Sequence, residues 1–485
     1  MKLLITIFCL IPNLAYAYLG PGMGGGILLA TFGIIFAVIV GIFGFFWFPL
    51  KKAFKAKVPL WIIIFLIFIA LAVAAVDNKK KIKNLRIIHN KIVSKNDIPP
   101  VFKKHIKKEK FVRNFNTNRN ALLVLPRYDG NLLRSVVEII DLNTFEVLHT
   151  YRHDIESMNE MVTNKLEHRR LKKDKNELRF LYNHPLILSD GSLVSNYNKS
   201  PLFRIDFCGN LMWINDEERF HHSQMLDSDG NIWVPSTLFP YSKLIETNFG
   251  TGAPSFGFDD DSIAKINTSG EILFQKSVAE MLIENKFMRD DYNLVNYHDP
   301  IHLNDIEPAF TTTKYWEKGD VFLSIRHLSA IVHYRPSTDK VINYFEGPFS
   351  MQHDVDIISD KEIAIFNNNN PATKNQPSFC CAEILIYNFE TKTYTKKFNP
   401  QMIENKIRTR TEGLADYLKD GSIMVEEQNH GRIIFFDKNG NVEWEYVNKD
   451  DKGNVYSISW SRIIENQELV NSIRNKINNT NCSEK

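Results

Sequence analysis

The feature that most constrains this chain is a repeated unit of short strands and tight turns in residues 120–460. Each unit reads as strand, turn, strand, gap, strand, turn, strand, and it can be traced six times, most clearly as "LDSDGNIWV" followed by "SIAKINTSGEILF". Asp-Gly and Asn-Gly supply the positive φ angles that tight hairpins require. Small sheets of this kind bury their faces only against neighbouring copies around an axis, so the repeat predicts an all-β fold, a six-bladed β-propeller.

The N-terminal residues predict export and two membrane helices. Residues 1–17 combine a lysine, an apolar run and small residues near the end, which is the pattern of a signal peptide. Within residues 18–77, two apolar stretches at 27–50 and 59–76 are each close to the length of a bilayer-spanning helix. We therefore expect the repeated domain to follow a signal and two transmembrane helices.

Charge sets the predicted orientation. The loop "KKAFKAK" between the two helices carries four lysines, whereas "YLGPGMGGG" before the first helix carries none. The positive-inside bias then predicts an inner-membrane protein of a bacterium whose folded domain faces the periplasm. Residues 78–119 form a basic linker, in which Asn78–Arg113 has 13 Lys or Arg against two acids. Retention of these charges in the cytoplasm would invert the topology, so they oppose this prediction.

Residues 461–485 are predicted to form a C-terminal helix and tail. In "SWSRIIENQELVNSIRNKINN" the apolar residues Ile463, Ile464, Leu469 and Ile473 would share one side of a helix. That side would pack on the last blade.

Composition excludes some classes of function. The net charge of +3 over 485 residues gives no reason to expect a nucleic-acid partner. "GPGMGGG" precedes a membrane helix instead of joining a strand to a helix, so we predict no phosphate-binding loop and no nucleotide cofactor. The cysteines Cys208, Cys380, Cys381 and Cys482 have no metal-type spacing. An oxidising compartment allows one disulfide among them, which the sequence does not pair.

Three histidines stand just upstream of predicted innermost strands. His353 in "MQHDVDII" lies eight residues before Lys361, where a turn glycine would stand, and His222 in "FHHSQMLDSDG" lies eight before Gly230. This spacing selects His222 over His221. His302 in "HDPIHLNDIEP" precedes the inner strand of the blade between them.

An arginine completes the predicted cluster. Arg326 in "VFLSIRHLSAIVHY" is expected on or at the end of the same inner strand that follows His302. Because innermost strands of a propeller line its axial channel, three histidines and this arginine should converge at one channel mouth.

These segments resemble the bacterial arylsulfate sulfotransferase family, whose members move a sulfuryl group directly between phenols. The resemblance runs over residues 120–460 and is densest in "HDPIHLNDIEP", "LSIRHLSAIVHY", "MQHDVDII" and "EGLADYLKDGSIMV". It implies a six-bladed propeller with the active site at its channel, which agrees with the repeat count. Two departures limit it: typical exported members lack the predicted tether, and a cysteine pair common before their nucleophile is missing here.

Carried over to this sequence, the resemblance implies that His353 is the sulfated histidine. It implies supporting roles for His222 and His302, sulfate binding by Arg326, and a polar substrate contact by Asn304. A neutral imidazole is a competent nucleophile, and a sulfo-histidine would divide the transfer into two easier steps. Arg326 and the other imidazoles would stabilise the charge that develops, and His222 or His302 would move the phenol proton.

The expected partners follow from this chemistry. They are a phenolic sulfate donor, a phenolic or glycan acceptor and the inner membrane; a homodimer is allowed, and no nucleic acid is expected.

Two other classes of function stay open. Three imidazoles could hold a catalytic zinc ion, with Asp299, Asp305 or Asp354 as a carboxylate ligand. The cation of Arg326 would repel such a metal, so no metal site is predicted. Alternatively, the propeller is a non-catalytic binding or assembly module of the cell envelope, because propellers often serve as scaffolds.

Overall fold

β-Strands make up most of the regular structure in the computed structural model. The model describes residues 101–165, 168, 171, 176–245, 259–288, 299–370 and 381–482. All of these lie in the second of two units of the chain, Ser94–Lys485. Among them, no helix is both long enough and apolar enough to cross a bilayer. The predicted signal and both predicted membrane helices lie outside the described residues.

The described strands and helices have the following limits. In chain order the strands are β1 (Phe111–Arg113), β2 (Leu122–Asp129), β3 (Arg134–Asp141), β4 (Val147–Tyr151), β5 (Asn183–Ile187), β6 (Leu193–Asn196), β7 (Ser200–Ile205), β8 (Leu211–Phe220), β9 (Met225–Leu226), β10 (Ile232–Leu238), β11 (Asp260–Ile266), β12 (Ile272–Ser277), β13 (Leu303–Pro308), β14 (Val321–Ile325), β15 (Ala330–Arg335), β16 (Lys340–Glu346), β17 (Asp354–Ile357), β18 (Glu362–Asn367), β19 (Glu383–Asn388), β20 (Thr393–Lys397), β21 (Leu414–Tyr417), β22 (Ile423–Glu427), β23 (Arg432–Phe436), β24 (Val442–Val447) and β25 (Arg462–Ile464). The α-helices are α1 (Ile155–Met161), α2 (Val278–Glu284), α3 (Asn399–Glu404) and α4 (Gln467–Asn479).

The strands form an all-β, propeller-like arrangement of antiparallel sheets. Four sheets have four or five strands each, in the orders β25-β2-β3-β4, β13-β14-β15-β16, β17-β18-β19-β20 and β1-β24-β23-β22-β21. The remaining sheet has eight strands, with the order β12-β11-β10-β8-β7-β6-β5 and β9 paired with β10. Buried apolar side chains fill the space between sheets, as where Leu122 and Val124 of β2 join Phe203 of β7 in one cluster.

The prediction of six separate blades is therefore not reproduced in that form: four single blades are found. The cause is β8, a strand of 10 residues that is longer than its hairpin partner β7, which has 6, and that shifts register between Asn215 and Phe220. Its last residues pair with β10, Phe220 with Ser236 and Arg219 with Thr237. This pairing joins two consecutive repeat units into one sheet.

Both ends of the domain contribute strands beyond the predicted limits of 120 and 460. β1, within the predicted linker, pairs with β24, and β25 pairs with β2, with Ile464 opposite Leu122. Ile463 and Ile464 thus belong to a strand and not to the C-terminal helix as predicted. The helix α4 begins only at Gln467, because the side chain of Asn466 caps it by accepting a hydrogen bond from Leu469 N.

A disulfide joins Cys208, in the turn between β7 and β8, to Cys482 after α4. It spans 274 residues of sequence and fastens the C-terminal segment to the second repeat unit. The buried side chains of Val470 and Ile473 on α4 pack in the same cluster.

Buried carboxylates link four of the inner strands, β13, β17, β21 and β25, in series. In each case a carboxylate oxygen accepts a hydrogen bond from a backbone N–H of the neighbouring inner strand. The pairs are Asp305 with Val355 (3.2 Å), Asp354 with Ala415 (3.1 Å) and Asp416 with Ile463 (2.6 Å). These hydrogen bonds hold the inner strands β13, β17, β21 and β25 side by side around the axis.

Burial makes ionisation of these carboxyl groups costly. It raises the pKa of Asp305 and of Asp416 from 3.8 to about 6, and that of Asp354 well above 3.8. The hydrogen bonds from backbone N–H groups act in the opposite direction but do not cancel the effect. Arg462, buried near them, has its pKa lowered to about 10 by the same desolvation.

We expect Asp416→Asn to change how folding stability depends on pH. Because the pKa of Asp416 is higher in the folded state (about 6) than its ordinary value of 3.8, its contribution is fully present below about pH 4 and is lost as pH rises through 6. Asn keeps an oxygen acceptor for Ile463 N but does not titrate. The wild type should therefore lose up to about 3 kcal/mol relative to the variant between pH 4 and 7.

Urea unfolding of both proteins at a series of pH values measures this difference. A difference in unfolding free energy that stays constant from pH 4 to 7 would contradict the raised pKa. Working with the difference removes the contribution of the buried histidines, which titrate in both proteins.

Candidate active site

The three predicted histidines each lie just before the first residue of an inner strand, and these inner strands are neighbours. His222 precedes β9, His302 directly precedes β13 and His353 directly precedes β17. β13 contacts both β9 and β17, so the starts of these three strands lie together at one end of the axis. His222 and His302 have φ angles of 56° and 53°, in the left-handed region that costs about 1–3 kcal/mol for residues other than glycine and is often found at functional sites.

The imidazole rings are close together. The ring centre of His222 is 5.4 Å from that of His302 and 5.6 Å from that of His353. Trp460 packs against this cluster, and its ring centre is 4.6 Å from that of His353. The matched places identified in the sequence thus bring the three side chains into one cluster.

His353 is oriented by its own hydrogen bond. Its side chain is completely buried, and Nδ1 donates to the carbonyl oxygen of Gly413 at 3.1 Å. The proton on Nδ1 leaves the lone pair on Nε2, which makes no hydrogen bond. Burial lowers the pKa of His353 from 6.5, and the carboxylate of Glu412 opposes this shift only in part. His353 is therefore a neutral imidazole with an available nitrogen.

Gly413 fixes the position of that carbonyl. Its φ of 110° is in the region that favours glycine, and a Cβ atom would lie 2.5 Å from Thr409 Cγ2 and 2.9 Å from the carbonyl oxygen of Glu426. The preceding residue, Glu412, has its carboxylate oxygen 3.3 Å from His353 Nε2, outside hydrogen-bond geometry.

His221 lies behind His222. The two Nδ1 atoms are 2.7 Å apart, and His221 Nε2 is 3.4 Å from a carboxylate oxygen of Asp261. Burial lowers the pKa of His222 well below 6.5, and the neighbouring histidines add to this effect. His222 is thus a weak base, and its ring, not that of His221, contacts His302 and His353.

His302 forms a dyad with Asp299. Its Nδ1 is hydrogen-bonded to Asp299 Oδ2. Burial by itself would raise the pKa of Asp299, but this hydrogen bond and the nearby positive charges hold the pKa well below 3.8. Asp299 is therefore an ionised acceptor that keeps a proton on His302 Nδ1. The ring centre of His327 is 4.5 Å from that of His302, and His327 Nδ1 donates to the carbonyl oxygen of Asp299 at 2.5 Å.

Arg326 lies at the same end of the axis but on a different strand from the one predicted. It follows β14, the second strand of its sheet, and not the inner strand β13. The backbone still brings it to the site, because its N–H donates to the carbonyl oxygen of His302 at 3.1 Å. Arg326 is 8% exposed, and its Nε makes no hydrogen bond. Burial lowers its pKa from 12.5.

Asn304 is completely buried. Its Nδ2 donates to the carbonyl oxygen of Gln352 at 3.3 Å, and its Oδ1 makes no hydrogen bond. Gln352 in turn donates to the carbonyl oxygens of Ile325 and Ala330, which flank Arg326 and the residues after it. The contacts of Asn304 therefore support the segment that carries His353.

The sequence analysis missed several residues of the cluster. Glu412 and Gly413 stand directly before β21, as His353 stands before β17, and Trp460 stands shortly before β25. All three occupy the position just before an inner strand, so they could have been identified by considering that position in every blade and not only where it holds a histidine. His184, the second residue of β5, also contacts the cluster, because its ring centre is 5.0 Å from that of Trp460.

The fold and the site together define a propeller-like protein with a cluster of histidines and the buried Arg326 at its axis. The family model described as Arylsulfotransferase (ASST) matches residues 184–449, more than half of the 485-residue chain. The protein therefore belongs to the arylsulfotransferase family, a family of sulfotransferases. The resemblance stated from the sequence is confirmed.

Comparison with solved structures finds weaker likenesses. A protein of unknown function from Bacteroides caccae has 13% identity and a TM-score of 0.44, with 71% of this chain and 99% of that chain covered. An inactive virginiamycin B lyase from Staphylococcus aureus with quinupristin has 14% identity and a TM-score of 0.36, with 70% and 88% covered. At these scores the likenesses carry no information on function. Comparison with curated proteins gave no match.

Proposed function

We propose that this protein is an arylsulfate sulfotransferase that moves a sulfuryl group from a phenolic sulfate ester to a phenolic or other hydroxyl acceptor, with His353 as the nucleophile. One observation carries the proposal. His353 is buried with Nδ1 tied to the Gly413 carbonyl oxygen, and Nε2 makes no hydrogen bond, among two further imidazoles and a guanidinium. A neutral, oriented imidazole of this kind is a ready nucleophile.

In the first half-reaction His353 Nε2 attacks the sulfur of the donor. The N–S bond forms, the bond from sulfur to the phenolic oxygen breaks, and the phenolate leaves with that electron pair. His302 gives a proton to the departing oxygen through its second ring nitrogen, because Nδ1 is held by Asp299. The low pKa of His222 makes it the weaker candidate for this proton transfer.

In the second half-reaction the hydroxyl oxygen of the acceptor attacks the same sulfur. The N–S bond breaks, its electron pair returns to Nε2, and His302 takes the hydroxyl proton. The guanidinium of Arg326 stabilises charge on the sulfuryl oxygens in both steps, and it acts strongly because water is largely excluded there. No nucleotide enters either step.

We also propose that the eight-stranded sheet counts as two blades. β5–β8 and β9–β12 correspond to two of the six repeat units in the sequence and differ from separate blades only by the pairing of β8 with β10. Six blades then surround the axis.

For the location, we propose the periplasmic face of a bacterial inner membrane. The two apolar stretches at 27–50 and 59–76 and the lysines between them support this placement. The disulfide between Cys208 and Cys482 adds support, because disulfides persist mainly in oxidising compartments.

The test is transfer of the sulfuryl group from p-nitrophenyl sulfate to a second phenol by the full chain in detergent, without added nucleotide. We expect nitrophenol release that depends on the acceptor, together with formation of the new sulfate ester. Release without acceptor beyond the one equivalent per chain that the first half-reaction yields would identify a sulfatase. Failure with a series of phenols and hydroxyl acceptors, in protein with intact folding, would favour the non-catalytic envelope module.

A further inference from the structure

We infer that His222, His353 and Glu412 form a binding site for a divalent transition metal, with Zn²⁺ as the best fit, and that metal and sulfuryl group compete for His353. One ligand atom from each of these residues lies within 4.8 Å of the other two. Two imidazoles and one carboxylate, with a further position open, are a known zinc donor set. The competition, but not the binding, rests on the proposed function.

The orientation of both imidazoles fits metal binding. Histidines that bind metals usually engage their other ring nitrogen with a neighbouring group, which fixes the ring. His353 donates from Nδ1 to the Gly413 carbonyl oxygen, and His222 Nδ1 is 2.7 Å from His221 Nδ1. His353 Nε2 is thereby left for a ligand, and Nε2 is the nitrogen of His222 that His221 does not engage.

A second observation points to a ligand at this place. His353 Nε2 belongs to a completely buried side chain and makes no hydrogen bond, and the nearby Glu412 oxygen at 3.3 Å does not satisfy it. The carboxylate of Glu412 is 34% exposed, so the site has an open side through which an ion can enter.

The carboxylates proposed from the sequence for a metal site do not fit this place. Asp354 accepts a hydrogen bond from Ala415 N, and Asp305 accepts one from Val355 N, so both serve the contacts between inner strands. Glu412, which the sequence analysis missed, supplies the carboxylate instead.

A second cluster of possible ligands, Asp299, His302 and His327, is less suited. Its ligand atoms also lie within 4.8 Å of one another. However, Asp299 is engaged by His302, and His327 Nε2 is 2.9 Å from Arg326 Nη1. The guanidinium would repel a metal ion at His327 directly.

The proximity of Arg326 also bears on the first cluster. The positive charge of Arg326 interacts electrostatically with both Glu412 and His353. It therefore partly opposes the binding of a second cation there. We therefore expect reversible binding of added Zn²⁺ and not a permanently held ion. A lone pair of His353 Nε2 that binds the metal is not available to attack sulfur, so binding should inhibit transfer.

Isothermal titration of the tag-free full chain in detergent with ZnCl₂, after treatment with a chelator, tests the site. We expect one Zn²⁺ per chain and a rise in Kd of about 10-fold or more in Glu412→Gln. Glu404→Gln, which changes an exposed glutamate on α3, is the matched control and should bind as the wild type does. No binding by the wild type, or equal affinity in Glu412→Gln, would overturn the assignment.

Steady-state kinetics test the competition separately. Zn²⁺ should raise KM for the sulfate donor, and a chelator should reverse the effect. Binding by titration without inhibition would overturn the competition. A protein that binds Zn²⁺ but transfers no sulfuryl group even after chelation would refute the proposed function and leave the metal site standing.

Discussion

Replacing His353 with alanine is expected to lower kcat for sulfuryl transfer between phenols by at least about 10³-fold, because the variant has no nitrogen on which the sulfo-intermediate can form. The loss should appear in both half-reactions, so that neither nitrophenol release nor ester formation persists. The measurement is the rate of transfer from p-nitrophenyl sulfate to a second phenol, with both products quantified.

Folding must be separated from chemistry in this experiment, because His353 is completely buried against Trp460. His353→Gln keeps a polar side chain of similar volume and should be equally inactive while its urea midpoint stays near that of the wild type. His149→Ala is the matched histidine control: its ring stacks on Phe207 at the outer strand β4, and the variant should keep its activity. An active His353→Gln would contradict the assignment of the nucleophile.

Replacing Arg326 with alanine is expected to lower kcat by about 10²–10³-fold, the usual effect of removing one donor that stabilises transition-state charge. The guanidinium is nearly buried and its Nε makes no hydrogen bond, so it can donate to a sulfuryl oxygen without first breaking a contact at that atom. The effect should fall on kcat more than on KM. A change confined to KM would mean that Arg326 only binds the donor.

Two further variants sharpen this result. Arg326→Lys keeps the charge but loses the planar fork of donors, so we expect it to recover only part of the activity. Arg204→Ala is the matched control. Arg204 pairs with Asp190, which lies in the turn at the opposite end of β5 from His184, and activity should not change.

The positions of the histidines could be predicted because the same position in each repeat unit has the same location in each blade. A residue just before an inner strand lies at the axis, so His222 and His353 could be brought together from their spacing, and His302 from its position before the inner strand between them. Arg326 was assigned to the wrong strand, because the insertion after His302 hides where β13 ends and β14 begins. The contact survives because antiparallel pairing returns β14 to the start of β13.

Other features depend on contacts that no local pattern encodes. The disulfide joins Cys208 to Cys482 over 274 residues, and only the closure of the ring brings the two together. The pairing of β8 with β10 depends on the length of one strand relative to its neighbour. Glu412 and Trp460 were not predicted, because the prediction rested on histidines before the inner strands and not on every residue at that position.

The central claim is that sulfur is carried on His353. Full-length protein is mixed with p-nitrophenyl sulfate without acceptor, quenched under alkaline conditions that protect an N–S bond, digested, and analysed by mass spectrometry. The account predicts a peptide containing His353 that is heavier by one SO₃ group and that returns to its original mass when a phenol is added. Turnover of the enzyme with no such peptide, or with the added mass on another residue, would contradict it.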